Sequence, residues 1–278
     1  MFASFAFLVA LLSGQEPPPE CRFDARGVGD YQACADVTEP GTPFHNLALI
    51  NLASIATLEG DYVRAIQIYD AVDLGPGRTF ESDSAFHALR AHAFERVGRL
   101  EEAAADARLS AAILAGGGPA AVPEPQRNPD PDLAYSYILP ILARAGDPAF
   151  ETALAAYLAL PANDWFSLGN RAVVLMDLER FEEALATNER ALALQPEHPA
   201  IQNSQCYILT RLGRAAEGLL HCERAVEMMP AVAPIRHSYA SALAGVGRCQ
   251  EAEAELAEAR RLDPASLIYQ EALACTPA

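Results

Sequence analysis

The chain has 278 residues, enough for one or two ordinary domains. Its 37 acidic side chains against 20 basic ones leave a net charge of −17, and all 20 basic side chains are arginine. With no lysine and no basic cluster it is unsuited to releasing counterions from nucleic acid or to settling on anionic lipid. Solvated helix faces account for such a charge; a cationic partner is the other use it admits.

In chain order, Met1 to Gly14 is an apolar run, and the first charged side chain is Glu16. Residues 1–14 read as the core of a secretory leader lacking its basic start. The run is too short to span a bilayer, so the mature chain is expected to be periplasmic or secreted, with no stable membrane insertion. The cysteines, six in number, agree with export. They fall as Cys21/Cys34, Cys206/Cys222 and Cys249/Cys275, although six cysteines allow 15 pairings.

Residues 15–42, with Pro17-Pro18-Pro19 and Glu39-Pro40-Gly41, read as a mostly irregular segment held by its cysteines. Residues 43–115 hold two helix pairs. The first turns at Gly60, with Asn51 on one helix and Tyr62, Ala65 and Tyr69 on the other. The second carries Ala91, Phe94, Gly98, Leu100 and Ala103. Residues 116–131, from Gly116-Gly117-Gly118 to Pro131, have five prolines and no apolar period, and read as a loop. Residues 132–161 read as a degenerate helix pair turning at Gly146-Asp147-Pro148, its first helix kinked by Pro140.

From 162 to 264 the sequence repeats itself. Pro196, Pro230 and Pro264 are 34 residues apart, as are Ala191, Ala225 and Ala259, and Leu175, Leu209 and Leu243. The small residues Ala172, Cys206 and Ala240 share the phase, and so do Ala184, Gly218 and Ala252. In the middle unit one helix ends at Gly213, the residue best suited to a left-handed turn. A second helix then runs to Pro230, which cannot continue it. After Pro264, residues 265–278 read as an amphipathic capping helix with a short tail.

A 34-residue period with small residues at fixed offsets and a closing proline resembles the tetratricopeptide repeat (TPR) family. The family pattern W-x2-L-G-x2-Y…A-x3-F…P reads here as Gln202-x2-Gln205-Cys206-x2-Leu209, Gly218-x3-Cys222 and Pro230. Trp165 lies three residues before the family's tryptophan slot. The resemblance implies an all-α, right-handed α-solenoid of five to six antiparallel helix pairs, the first (A) helix of each pair lining a concave wall. Small residues are needed where A and B helices cross, because bulk there would push the axes apart.

Within the middle pair, Cys206 lies seven residues before Gly213 and Cys222 nine after it, on antiparallel helices. That sets them within roughly 3 Å of one height, favouring a 206–222 bridge. Two buried thiols would also fit. Pairings 249–275 and 21–34 follow mainly by elimination.

Nothing in the sequence reads as an active site. No G-x-S-x-G, H-E-x-x-H or phosphate-binding loop occurs. His87 and His92 stand about 140° apart on a helix, which is no metal pair. Glu101-Glu102 and Glu182-Glu183 open helices, where the dipole favours carboxylates. The expectation is therefore a non-enzyme without cofactor or metal.

The resemblance implies instead a scaffold that receives a peptide or partner protein. Its concave face would be lined by His92, Glu95 and Arg96; Val173 and Met176; Asn203, Tyr207, Thr210 and Arg211; and His237 and Ser241. Tyr207 with Arg211, one helical turn apart, is the best candidate anchor. Asn51 and Asn170 read as structural hydrogen-bonders. A cell-envelope or secretion-related assembly is the expected setting. A small-ligand or glycan binder, or a self-associating structural protein, is the alternative.

Overall fold

The computed structural model describes residues 18–22, 30–72, 84–117 and 131–276. The expected leader, the 73–83 connection and most of the expected 116–131 loop lie outside the described residues. Among those described there are thirteen α-helices and no strand. The chain divides into two compact units, Met1–Ala159 and Leu160–Ala278.

In the first unit, a short helix α1 (Tyr31–Val37) precedes three pairs: α2 (Pro43–Leu58) with α3 (Tyr62–Asp70), α4 (Ser84–Arg96) with α5 (Leu100–Ala112), and α6 (Pro131–Arg144) with α7 (Ala149–Ala159). The second unit has α8 (Trp165–Asp177) with α9 (Phe181–Leu194), α10 (Pro199–Arg211) with α11 (Ala215–Met228), and α12 (Ala233–Gly245) with α13 (Cys249–Leu262).

Every hairpin turns the same way, because the same backbone bond closes it. The residue after the turn donates to a carbonyl five positions back: Asp61 to Ala56, Arg99 to Phe94, Asp147 to Leu142, Arg180 to Leu175, Arg214 to Leu209 and Arg248 to Leu243, all at 2.8–2.9 Å. That bond requires a left-handed residue just before the donor. Gly60, Gly98, Gly146, Gly213 and Gly247 supply it, with φ from 59° to 82°. The α8–α9 turn uses Glu179 instead, at φ 56°.

The 34-residue columns are the core. Leu175, Leu209 and Leu243 are buried, as are Ala172, Cys206 and Ala240 on A helices and Ala191, Ala225 and Ala259 on B helices. Burying each leucine contributes about 1.5–3 kcal/mol. A Cβ added at Gly218 would stand 3.0 Å from the Cys206 carbonyl oxygen and 3.4 Å from the Leu209 Cβ. The α10–α11 crossing is therefore closed to bulk.

Four B helices begin with one device that the reading of acidic pairs caught only in part. The N-cap is arginine, and its guanidinium grips the glutamate three residues on: Arg99–Glu102, Arg180–Glu183, Arg214–Glu217 and Arg248–Glu251. Another recurs at the junctions between repeats. Gln202 donates to the Pro196 carbonyl, Arg236 to that of Pro230 at 2.9 Å and Gln270 to that of Pro264 at 3.4 Å.

Two expectations need revision. Residues 265–274 do not form a capping α-helix; they make a single 3-10 turn, Leu267–Tyr269, followed by irregular chain. A ten-residue helix is marginal without a partner for its second face, and Leu267 and Ile268 stay exposed. The segment covers the end of the stack by other means. Tyr269 is buried with Ala233, Ala240, Leu256 and Ala259, Arg260 Nε donates to the Tyr269 carbonyl at 2.7 Å, and Cys275 is bonded to Cys249.

The segment 15–42 is not wholly irregular, since it contains α1. Asp30 caps that helix by accepting from the Ala33 N–H at 2.9 Å. Cys34, bonded to Cys21, is buried with Ala35 against α2. Tertiary packing stabilises a helix too short to show a period. Helix α6 carries Pro140 inside it, among the buried Ile138, Leu139, Ile141 and Leu142.

The crossing yields a test. Gly218→Val should lower stability by about 1–3 kcal/mol through overpacking, read as a reduced melting temperature. Gly169→Ala, where an added Cβ meets nothing within 4 Å, should not destabilise in this way.

Candidate functional site

Within each unit, A helices touch the next A helix directly: α2 with α4 and α4 with α6 in the first, α8 with α10 and α10 with α12 in the second. Their outward rows thus form a continuous wall in each unit.

In the first unit the structure brings His92, Glu95 and Arg96 together and adds partners from other helices. The His92 ring lies 4.7 Å from that of Tyr137 on α6 and edge-on to Tyr62 of α3 at 5.7 Å. Arg96 sits over the Tyr62 ring at 5.3 Å. Glu95 pairs with Arg144 and lies 3.8 Å from His92 Nδ1. Burial pushes the Glu95 carboxyl up, but hydrogen bonds from His92 and Arg144 outweigh it and hold it below the ordinary glutamate value. The sequence reading missed Tyr62, Tyr137 and Arg144. Tyr62 comes from a B helix, and α6 follows the out-of-phase 116–131 stretch, so neither falls in an A-helix column.

Beneath this wall a buried polar cluster ties α4 to α5. Asp106 accepts from Arg90 Nε and Nη2 at 2.6 and 2.9 Å, and lies 3.0 Å from His87 Nδ1. Burial pushes the Asp106 carboxyl up, and the Arg90 and His87 hydrogen bonds more than reverse that, leaving it below the ordinary aspartate value. Arg90 also stacks 4.9 Å from the Phe86 ring.

In the second unit Val173, Tyr207 and Ser241 form one row at 34-residue spacing, and Met176 and Thr210 share another. Val173 is exposed and the others are partly so. Thr210 donates to the Cys206 carbonyl at 2.9 Å, and Ser241 to that of His237 at 2.9 Å. Asn203 Oδ1 is buried without a hydrogen-bond partner. Arg211 Nη1 donates to the Tyr207 hydroxyl at 2.8 Å. The same guanidinium lies 4.6 Å from the ring centre of Phe181, a residue the sequence reading missed because it opens a B helix. His237 is set apart: its ring lies 5.3 Å from that of Tyr269, and burial lowers its pKa.

The cysteines are joined as Cys21–Cys34, Cys206–Cys222 and Cys249–Cys275, with Cα separations of 4.8, 5.3 and 5.7 Å. The 206–222 pair links α10 to α11 beside Gly218. Among the described residues no group of three or more His, Cys, Asp or Glu could hold a metal ion. No helix there is long and apolar enough to cross a membrane.

Two family models, each described as tetratricopeptide repeat, match residues 170–233 and 48–73. These stretches coincide with the hairpins built above. The chain carries tetratricopeptide repeats over these stretches. The TPR fold extends beyond the matched residues. A TPR protein from Parabacteroides merdae superposes with a TM-score of 0.62, at 13% identity, over 96% of each chain. PilW, a widely conserved type IV pilus biogenesis factor, gives 0.53 at 18% identity, over 81% of this chain and 96% of its own. These likenesses are of fold. No curated protein matches the TPR chain by sequence.

The buried carboxylate gives a pH prediction. With its folded pKa depressed, Asp106 contributes stability that is present above the unfolded aspartate value of about 3.9 and lost as pH falls through the folded value. Asp106→Ala leaves Arg90 without its counter-charge and His87 Nδ1 without its hydrogen-bond partner. It should cost about 3–5 kcal/mol at neutral pH and flatten the acid limb of a urea-midpoint-against-pH curve.

Proposed function

We propose that this TPR protein is a non-catalytic scaffold that receives an extended segment of a partner protein on the A-helix wall of residues 160–276. The observation that carries this reading is the half-buried Tyr207 and exposed Arg211 on that wall, hydrogen-bonded to each other, with the buried Phe181 ring of α9 against the guanidinium. Tyrosine and arginine supply most interface hot spots, because each joins a flat apolar face to a polar end. Val173, Met176 and Thr210, from the two neighbouring rows, offer contact area, and Asn203 Oδ1 keeps an acceptor without a partner.

The cellular setting is inferred from chemistry. Three intramolecular disulfides in a chain of 278 residues suit an oxidising compartment. An apolar leader fits the same compartment. We therefore assign the protein to the periplasm or the secreted fraction, in an envelope or secretion-related assembly. The likeness of fold to a pilus biogenesis factor is in keeping with this setting.

Capture from a periplasmic extract tests both parts. The wild-type chain should retain a protein partner, and Tyr207→Ala or Arg211→Ala should each weaken retention by about 2 kcal/mol. Equal retention by both variants removes these side chains from the interface. Mass spectrometry of the exported chain should find no free thiol before reduction.

A further inference from the structure

The wall of the second unit differs in charge from the helices behind it. Helices α8, α10 and α12 carry three arginines and one aspartate, while α9, α11 and α13 carry ten glutamates and four arginines. In a chain of net charge −17, the A side of this unit thus has a positive balance. Two of its arginines are committed inward. Arg171 is buried and donates to the Leu160 carbonyl, and Arg236 holds Glu255 and the Pro230 carbonyl. Arg211 is the cation presented outward, its side chain 43% exposed. The Phe181 ring at 4.6 Å and the Tyr207 ring at 5.7 Å orient its guanidinium without neutralising it.

A carboxylate already faces that cation. Glu179 approaches Arg211 at 3.5 Å while its side chain stays 76% exposed. Glu179 is also the one non-glycine residue with positive φ among the described residues, at 56°. It occupies the turn position where Gly213 and Gly247 follow at 34-residue spacing. An L-residue there is disfavoured because its Cβ crowds the following carbonyl. The backbone gains nothing from a glutamate at that turn; what the side chain does is contact Arg211.

We propose that Glu179 is a tethered competitor for Arg211, standing where a carboxylate of an acidic partner peptide binds. Docking then exchanges an exposed, loosely held ion pair for a carboxylate presented to the ring-flanked fork of Arg211. The wall thereby selects acidic peptides and discriminates against those too weakly charged to displace its own glutamate. This inference rests on the docking reading above and names the chemistry of the partner: an extended segment offering a carboxylate, from an Asp or Glu side chain or from a chain terminus.

The test applies the full chain to an array of random-sequence decapeptides graded by net charge, each with a free and an amidated C-terminus. Retention should rise with negative charge. Glu179→Gln should raise retention of acidic peptides about two- to five-fold with an unchanged melting temperature. Glu179→Gly should raise both retention and melting temperature, since it also relieves the turn, and Arg211→Gln should flatten the charge dependence. Loss of the signal on amidation assigns the carboxylate to the terminus; persistence assigns it to side chains. Retention indifferent to peptide charge, or equal in Glu179→Gln and wild type, overturns the proposal and leaves the docking reading standing. If no peptide is retained by either protein, the docking reading itself fails and the proposal falls with it.

Discussion

Close approach of backbones at the A–B crossing is the constraint from which the remaining geometry follows. At Gly218 the α11 backbone comes so near the Cys206 carbonyl that even a methyl group would be tight. The buried Ala172, Ala184, Ala240 and Ala252 hold the corresponding columns small. Because the helices of a pair nest at this short range, the large side chains are displaced to either side of the crossing. There Leu175, Leu209 and Leu243 are buried. Successive A helices are thereby brought into contact, and a continuous wall exists in each unit without any residue being dedicated to building it.

Arginine fits this architecture in a way lysine would not. The N-cap arginines of four B helices each present a planar fork to a glutamate one turn on, a geometry an ammonium cannot reproduce. These pairs are exposed and add little energy individually. Their effect is to fix the start of each B helix while placing negative charge at the positive end of its dipole. Arg90, Arg171 and Arg236 act inside the structure, where several directed N–H groups satisfy carbonyls and carboxylates at once.

What was legible in the sequence was what recurs. The columns at 34-residue spacing located the crossings, the turns and the core of residues 162–264, because each unit meets the same packing demand. Features that depend on a single tertiary contact were not legible. Helix α1 exists through its packing on α2, and Tyr62 reaches His92 only because the second hairpin is set beside the first. The expected capping helix failed for the converse reason: its amphipathic pattern is present, but no further helix covers its exposed Leu267 and Ile268. Glu179 was overlooked because the turn column was read for glycines, and the one departure from it carried no signal until the φ angle and the Arg211 contact were known. Among the wall residues, Tyr207 and Arg211 could be paired from spacing alone, whereas Phe181 belongs to the opposite helix of its hairpin.

The segment after Pro264 has the register of another repeat without its helix. Gln270 reaches the Pro264 carbonyl as Gln202 and Arg236 reach those of Pro196 and Pro230. Tyr269 fills the buried slot that Ile201 and Ile235 occupy at the same 34-residue interval. The end of the stack thus keeps the alignment of a further repeat but is covered by a short, covalently fastened strap. For protein engineering this is a prepared splice point: a helical hairpin substituted from Leu267 onward would inherit a correct register and lengthen the array, with Cys249 freed for a new bond.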